Sequence, residues 1–257
     1  MGQQPQVVPG SIGGDRQIRR PIQEVTILQT KNPVETAYMK VYRQEKIAKG
    51  ESDSIAHTFV PFDSIAQTLK QAVIAAEDDG FYIHPGFDIT AILAAMDYNR
   101  SKNQVKRGAS TITQQLAKNL FLSSERTFYR KALELGYTVL LEKYLGKERI
   151  LELYLNFAEW GPNIFGCEAA SRHYFKKSAK KLTMYESSRL AAMLAKPATM
   201  NPHGSKSKFL WSRLKVIADN LYGKGLIGDS AYVDISGVPP PRRDTVTSEE
   251  PAPQPIQ

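Results

Sequence analysis

The sequence has 257 residues, 42% hydrophobic and 23% charged, enough apolar material for one large packed domain or two small ones. A single cysteine, Cys167, excludes an internal disulfide framework, and no run approaches the roughly 18 apolar residues of a membrane span. A formal net charge of +8 calls for an acidic partner, whether nucleic acid, anionic lipid or a phosphorylated substrate.

In chain order, residues 1–21 are rich in Gln, Gly and Pro and lack an apolar h-region, so they read as disordered and not as a secretory signal. That leaves a cytosolic protein or one whose anchor has been removed. Strand signals are thin, with 24–29 and 57–60 the best candidates. Residues 64–76 place Ile65, Leu69, Ala72, Val73 and Ala76 on one helical stripe, and Ser64 and Gln67 have capping-box spacing. Residues 89–98 repeat the pattern with Ile89, Ile92, Leu93 and Met96 behind Asp88 as cap. Residues 111–120 open on a second capping box, Thr111 with Gln114. Further helices are expected over 127–144, 147–156, 181–194 and 209–222, with breaks at Pro197, Pro202, Gly204 and Gly223. The Pro-rich end, 237–257, reads as disordered. The expectation is one mainly α domain over residues 22–236, without internal repeats.

The charge is concentrated. Between Arg100 and Lys131 lie Arg100, Lys102, Lys106, Arg107, Lys118, Arg126, Arg130 and Lys131 against Glu125 alone, a surplus of +7 out of the chain's +8. Glu77 and Glu134 bracket this stretch, and fixed cations beside two acids suit chemistry on a phosphate-bearing substrate. Glu77 closes the 64–76 helix, where the helix dipole, Asp78 and Asp79 would all raise its pKa and make it a credible general base. Glu134 stands one turn after Arg130 and three residues after Lys131, which keep it ionised. Spacing alone favours ordinary solvated acids for both.

Ser110 and Thr111 open a helix whose free N–H groups suit an anion. Lys118, Arg126, Arg130 and Lys131 can converge on a diphosphate. The alternative is a capping box and a solvated basic face. Histidine and cysteine spacing excludes a zinc site. His84 reads as a hydrogen-bonding strut for the loop after Glu77, Phe81 as its anchor in the core, and Asp78 as an acceptor of backbone N–H groups. Tyr154 and Asn156 read as packing or bracing residues. The 89–98 helix and the cations after it read either as an interfacial element or as a core-facing helix.

Glu77-Asp78-x-x-Phe81-x-x-His84-x-Gly86 resembles the first motif of the family 51 peptidoglycan glycosyltransferases, and of their monofunctional transglycosylases in particular. Gly108-x-Ser110-Thr111-Ile112-x-Gln114-Gln115-x-x-Lys118-Asn119 is similar to the second motif and Arg130-Lys131-x-x-Glu134 to the third. Ile150-Leu151-x-x-Tyr154-Leu155-Asn156 and Gly161-x-x-x-x-Gly166-x-x-Ala169-Ala170-x-x-Tyr174-Phe175 resemble the fourth and fifth, in family order.

The resemblance implies a lysozyme-like helical large lobe with a smaller membrane-facing lobe. It also implies polymerisation of lipid II into β-1,4-linked glycan, with inversion and release of undecaprenyl diphosphate. Glu77 would be the general base. Glu134 would lie near the leaving diphosphate as the candidate ligand of a divalent cation (Mg or Mn), and no organic cofactor is expected. Lys118, Arg126, Arg130 and Lys131, with Ser110, Thr111, Gln114, Gln115 and Asn119, would bind substrate. Asp78, Phe81, His84 and Gly86 would support the loop. The implied partners are lipid II, the growing glycan chain, the membrane surface and other cell-wall synthesis proteins, with no nucleic acid. The implied place is the outer face of the bacterial cytoplasmic membrane.

Three features depart from the family pattern. Most members carry an N-terminal membrane helix, which this sequence lacks, so truncation is expected. Leu133 stands where some relatives have a basic residue. Ser178-x-x-Lys181 and Ser205-x-x-Lys208 have no Lys-Thr-Gly to accompany them, so no transpeptidase domain is expected. The competing functions are a lysozyme-like glycan-cleaving enzyme and a non-catalytic basic module for lipid or nucleic acid.

Overall fold

The computed structural model describes residues 14–90, 93, 97, 100, 110–122 and 127–241. Within them run α1 (Gly14–Thr26), α2 (Ala37–Ala48), α3 (Gln67–Glu77), α4 (Ile112–Phe121), α5 (Phe128–Tyr144), α6 (Lys147–Phe157), α7 (Cys167–Phe175), α8 (Met184–Met193), α9 (Lys208–Gly223) and α10 (Asp229–Ser236). The described positions 89, 90, 93, 97 and 100 are helical as well. Arg126, Lys102, Lys106, Arg107, Ile92, Met96 and Tyr98 lie outside the described residues, as do 1–13 and 242–257.

α6 turns a broad apolar face to the centre of the fold and keeps its charged residues, Lys147, Glu148, Arg149 and Glu152, out of the core. Ile150, Leu151, Leu153, Tyr154, Leu155, Asn156 and Phe157 are all buried, as expected of the core-facing side of an amphipathic helix. α4 packs on it and on α5, while α3 packs on α8 and α9. α3 buries Leu69 and Val73 completely, each contributing about 1.5–3 kcal/mol relative to exposure.

A small sheet closes one side of α6. β1 (Ala56–His57) pairs in parallel with β3 (Ile164–Phe165), and β2 (Glu159–Gly161) pairs with β3 in antiparallel register, with an irregularity between Glu159 and Gly161. Gly166, at φ +83, brings the chain against α6 so closely that a Cβ there would lie 2.6 Å from the Asn156 carbonyl oxygen.

The mainly α, lysozyme-like expectation agrees with this architecture, but several local readings do not. Residues 24–29 form the end of α1 and a 3-10 turn, not a strand; the Leu28 carbonyl is taken by the Arg149 guanidinium (2.8 Å). Of the second strand candidate only His57 pairs, in a two-residue strand with Ala56 before it. At Val60 the amide and carbonyl are both claimed by the Asn156 side chain (2.8 and 2.9 Å).

The Ser64–Gln67 capping box does not form. Pro61 leads into a 3-10 turn over Phe62–Ser64, and Ile65 is extended. α3 therefore starts at Gln67 without a side-chain cap. It runs one residue beyond the expected end and makes Glu77 its last helical position. α1 begins at Gly14, inside the segment read as disordered. By contrast, Thr111 and Gln114 do form the expected capping box.

Candidate active site

The end of α3 carries Glu77 into a pocket built by three other helices. Its Oε1 accepts from Nη2 of Arg213 on α9 at 2.8 Å. Its Oε2 accepts from Nε2 of Gln115 on α4 at 3.0 Å. The Gln115 amide is oriented in turn by α6, where the Tyr154 hydroxyl donates to Gln115 Oε1 at 3.0 Å. Burial and the neighbouring Glu77 and Asp78 charges hold Tyr154 far above its ordinary pKa, so it remains a donor and fixes which way the amide points.

Burial pushes the Glu77 carboxyl above the usual carboxylate range. The Arg213 charge and the Gln115 hydrogen bond oppose that rise, and Asp78 adds to it. The direction matches the sequence expectation, but the dominant cause is desolvation rather than neighbouring acids. Asp79 is paired with Lys224 at 2.8 Å, which cancels the like charge expected of it.

The loop after Glu77 is tied down by Asp78, which is buried. Its Oδ1 takes His84 Nε2 at 2.7 Å, and its Oδ2 accepts the Ile112 N–H at 2.9 Å. The Gly86 N–H donates to His84 Nδ1 at 3.1 Å, so the imidazole bridges Asp78 and the Gly86 backbone as a strut. Phe81 is fully buried beneath the Lys147 ammonium, 4.6 Å from the ring centre. Gly86 has φ +91, and a Cβ there would meet Thr138 Cγ2 at 2.8 Å, so glycine is required.

Asp78 also changes the reading of the α4 N-terminus. At this helix start the Ile112 amide is taken by the Asp78 carboxylate. Thr111 and Gln114 are buried and occupied by the cap. The Thr111 hydroxyl donates to the Gly86 carbonyl at 2.7 Å. Both residues thus brace the start of α4 against the Gly86 loop. Ser110 is exposed just before them.

A cleft of about 430 Å³ opens on the far side of Gln115. It is lined by Gln115, Lys118, Asn119, Tyr154, Glu159 and Lys196, among others. Lys118 is exposed on α4 and its charge partly offsets the burial that raises the Glu159 carboxyl. Glu159 accepts from the Tyr38 hydroxyl at 2.7 Å.

Glu134, on α5, is buried under two cations. Arg130 Nη1 lies 3.2 Å from its Oε2, and Lys131 Nζ donates to its Oε1. Each oxygen of Glu134 is thus already paired with one cation. Among the described residues no three His, Cys, Asp or Glu side chains gather as a metal site.

The family model described as "Transglycosylase" matches residues 43–222. The chain belongs to the transglycosylase family. Relatives named "Biosynthetic peptidoglycan transglycosylase" share its sequence closely. One from Paraburkholderia xenovorans is 44% identical over 195 residues, covering 76% of this chain and 81% of the relative. One from Ralstonia nicotianae is 49% identical over 170 residues (66% and 73%). A third, from Thiobacillus denitrificans, is 45% identical over 193 residues (75% and 82%). Fold, family and the relatives' shared name agree with the expected peptidoglycan glycosyltransferase.

In this transglycosylase, Glu77, Gln115, Lys118, Asn119 and Tyr154 gather around one cleft and the pocket behind it. Arg130, Lys131 and Glu134 form a separate cluster on α5. Arg126 lies outside the described residues. Three polar residues of the site, Arg213, Lys196 and Glu159, were not singled out by sequence reasoning. For Arg213 a signal existed. It falls on the same face of the 209–222 helix as Leu210, Leu214, Ile217 and Leu221, all buried, and a cation on an apolar stripe needs a buried partner.

Proposed function

We propose that this transglycosylase polymerises lipid II, with Glu77 taking the proton of the acceptor sugar's 4-hydroxyl as that oxygen attacks the donor's C1. The C1–O bond to the diphosphate breaks, its electron pair leaves with undecaprenyl diphosphate, and configuration inverts to a β-1,4 link. The observation that carries the reading is a buried carboxylate with a raised pKa, joined through Gln115 to a cleft that bears Lys118 and Lys196. A base tuned upward by desolvation is matched to work near neutral pH. Ammonium groups in the cleft suit a departing diphosphate. Arg130 and Lys131, held by Glu134, supply further cations, and Glu134 orders them rather than reacting itself.

Peptidoglycan synthesis places the protein in the cell envelope. No helix among the described residues is long and apolar enough to cross a membrane. Contact with the outer face of the cytoplasmic membrane is supported by α5, which turns polar Glu134 and Thr138 inward and apolar residues outward. Phe128, Tyr129, Leu135 and Val139 are exposed, and Ile89 and Leu93 are exposed on the preceding helical segment. Such a surface can enter the acyl boundary while nearby cations meet lipid phosphates. The chain is expected to sediment with anionic liposomes at low salt, and full recovery in the supernatant would remove this part of the proposal.

The reaction is tested with labelled lipid II, in detergent with a divalent cation, using the wild type and Glu77→Gln. Long glycan from the wild type and none from the variant is the expected result. Clearing of purified cell walls without lipid II would point instead to a glycan-cleaving enzyme.

A further inference from the structure

We propose that Arg213 is the positioning residue of the catalytic base: it pins one oxygen of Glu77 from α9, so that the oxygen facing Gln115 is the one that receives the acceptor's proton. This rests on Glu77 being the base of the proposed reaction.

The geometry separates the two oxygens. Arg213 Nη2 bridges Glu77 Oε1 (2.8 Å) and the Ala76 carbonyl (2.7 Å), so it is anchored to the backbone as well as to the carboxylate. The Ala76 carbonyl is one of the acceptors that the end of α3 leaves without a helical partner. α9 answers a second one, through Asn220 Nδ2 on the Ala75 carbonyl at 2.8 Å. The Arg213 side chain is 23% exposed and that of Glu77 11%, so the ion pair is largely shielded from solvent. Gln115, by contrast, belongs to the cleft wall and offers Oε2 one neutral hydrogen bond. A sugar hydroxyl can replace that bond without stranding a charge, whereas displacing Arg213 would leave two largely shielded charges unpaired.

The charged and titratable groups facing Glu77 are few. Arg213 comes from α9, and Tyr154 from α6 acts through Gln115. Asp78 follows in the chain, already holding His84 and the Ile112 amide. Arg213 is the cation paired with Glu77 among the described residues. Burial alone would keep the carboxyl protonated to higher pH, and a protonated base is useless. Arg213 lowers that threshold while leaving Oε2 toward the cleft.

The test uses the whole chain and two readouts. ¹³C NMR titration of the Glu77 carboxyl, without substrate, is expected to show a rise of about one to three pH units in Arg213→Gln, the size expected for losing a cation at this distance. The acid limb of kcat/KM on lipid II should move up by the same amount. Arg213→Lys keeps a charge but loses the planar fork; it should hold the limb in place and lower kcat about 10–100-fold through misorientation. Asn220→Ala, which removes the neighbouring cap without touching Glu77, should lower the melting temperature and leave the limb where it was.

An unmoved Glu77 titration in Arg213→Gln overturns the proposal, as does a limb shift of equal size in Asn220→Ala. If Arg213→Gln does not fold, wild-type kcat in Arg213→Lys overturns it. Failure of the base assignment is read separately: Glu77→Gln would then polymerise normally even where the titration shift is seen.

Discussion

Glu77 and Glu134 are both shielded from solvent and both touch an arginine, yet their surroundings prepare them for different work. Glu77 has one cation, on one oxygen, and a neutral amide on the other. Glu134 has a cation on each oxygen. A carboxylate with a cation on each oxygen has both oxygens engaged in ion pairs. A carboxylate matched on one side only, in a desolvated pocket, keeps an oxygen that can accept a proton. The contrast lies in the partners that each helix neighbour supplies, since the two residues are chemically identical.

The largest expected effect breaks the comparison at Glu77. Glu77→Gln should reduce polymerisation by about 10²–10⁴-fold, the usual cost of a lost general base, with some loss of melting temperature because the Arg213 charge loses its partner. Normal activity would return Glu77 to the status of an ordinary buried acid. The wild-type pH profile sharpens the same point. Because the Glu77 pKa is raised and the base must be ionised, kcat/KM should fall as pH falls through a value above the ordinary glutamate range. An acid limb at or below that range contradicts the desolvated base.

Asp78→Ala should come next. It strands the His84 imidazole and the Ile112 amide, and a buried polar group left unpaired costs about 1–3 kcal/mol; denaturant unfolding should read a loss of that order or more. The smallest effect should be at Glu134's outer partner. Lys131 is 45% exposed, so Lys131→Ala should cost no more than about 1 kcal/mol of stability, because Arg130 still matches the acid. A much larger loss would mean that Lys131 is more than a solvent-screened partner.

Much of the fold was legible because its signals are local. Thr111 and Gln114 stand three residues apart and their reciprocal hydrogen bonds follow from that spacing. The 147–156 and 209–222 helices showed their apolar stripes in the same way. The failures were also local signals, overridden by distant groups. Ser64 lost its capping role to the turn after Pro61. The second strand candidate was cut short by Asn156, which lies 96 residues from Val60. At the site, the spacing of Thr111 and Gln114 gave the cap but not their burial, which the surrounding packing decides.

By itself the sequence determined the order of the helices, the cap of α4, the neighbourhood of Glu77 to Asp78 and of Glu134 to Arg130 and Lys131, and the family to which these motifs belong. All of these depend on residues within a turn or a short motif of one another. Tertiary structure alone decided what surrounds Glu77. Gln115 and Arg213 reach it from 38 and 136 residues away, and the burial that raises its pKa is the work of four packed helices. Desolvation and ion pairing are properties of a place in space, and that place exists only once α3, α4, α6 and α9 have come together.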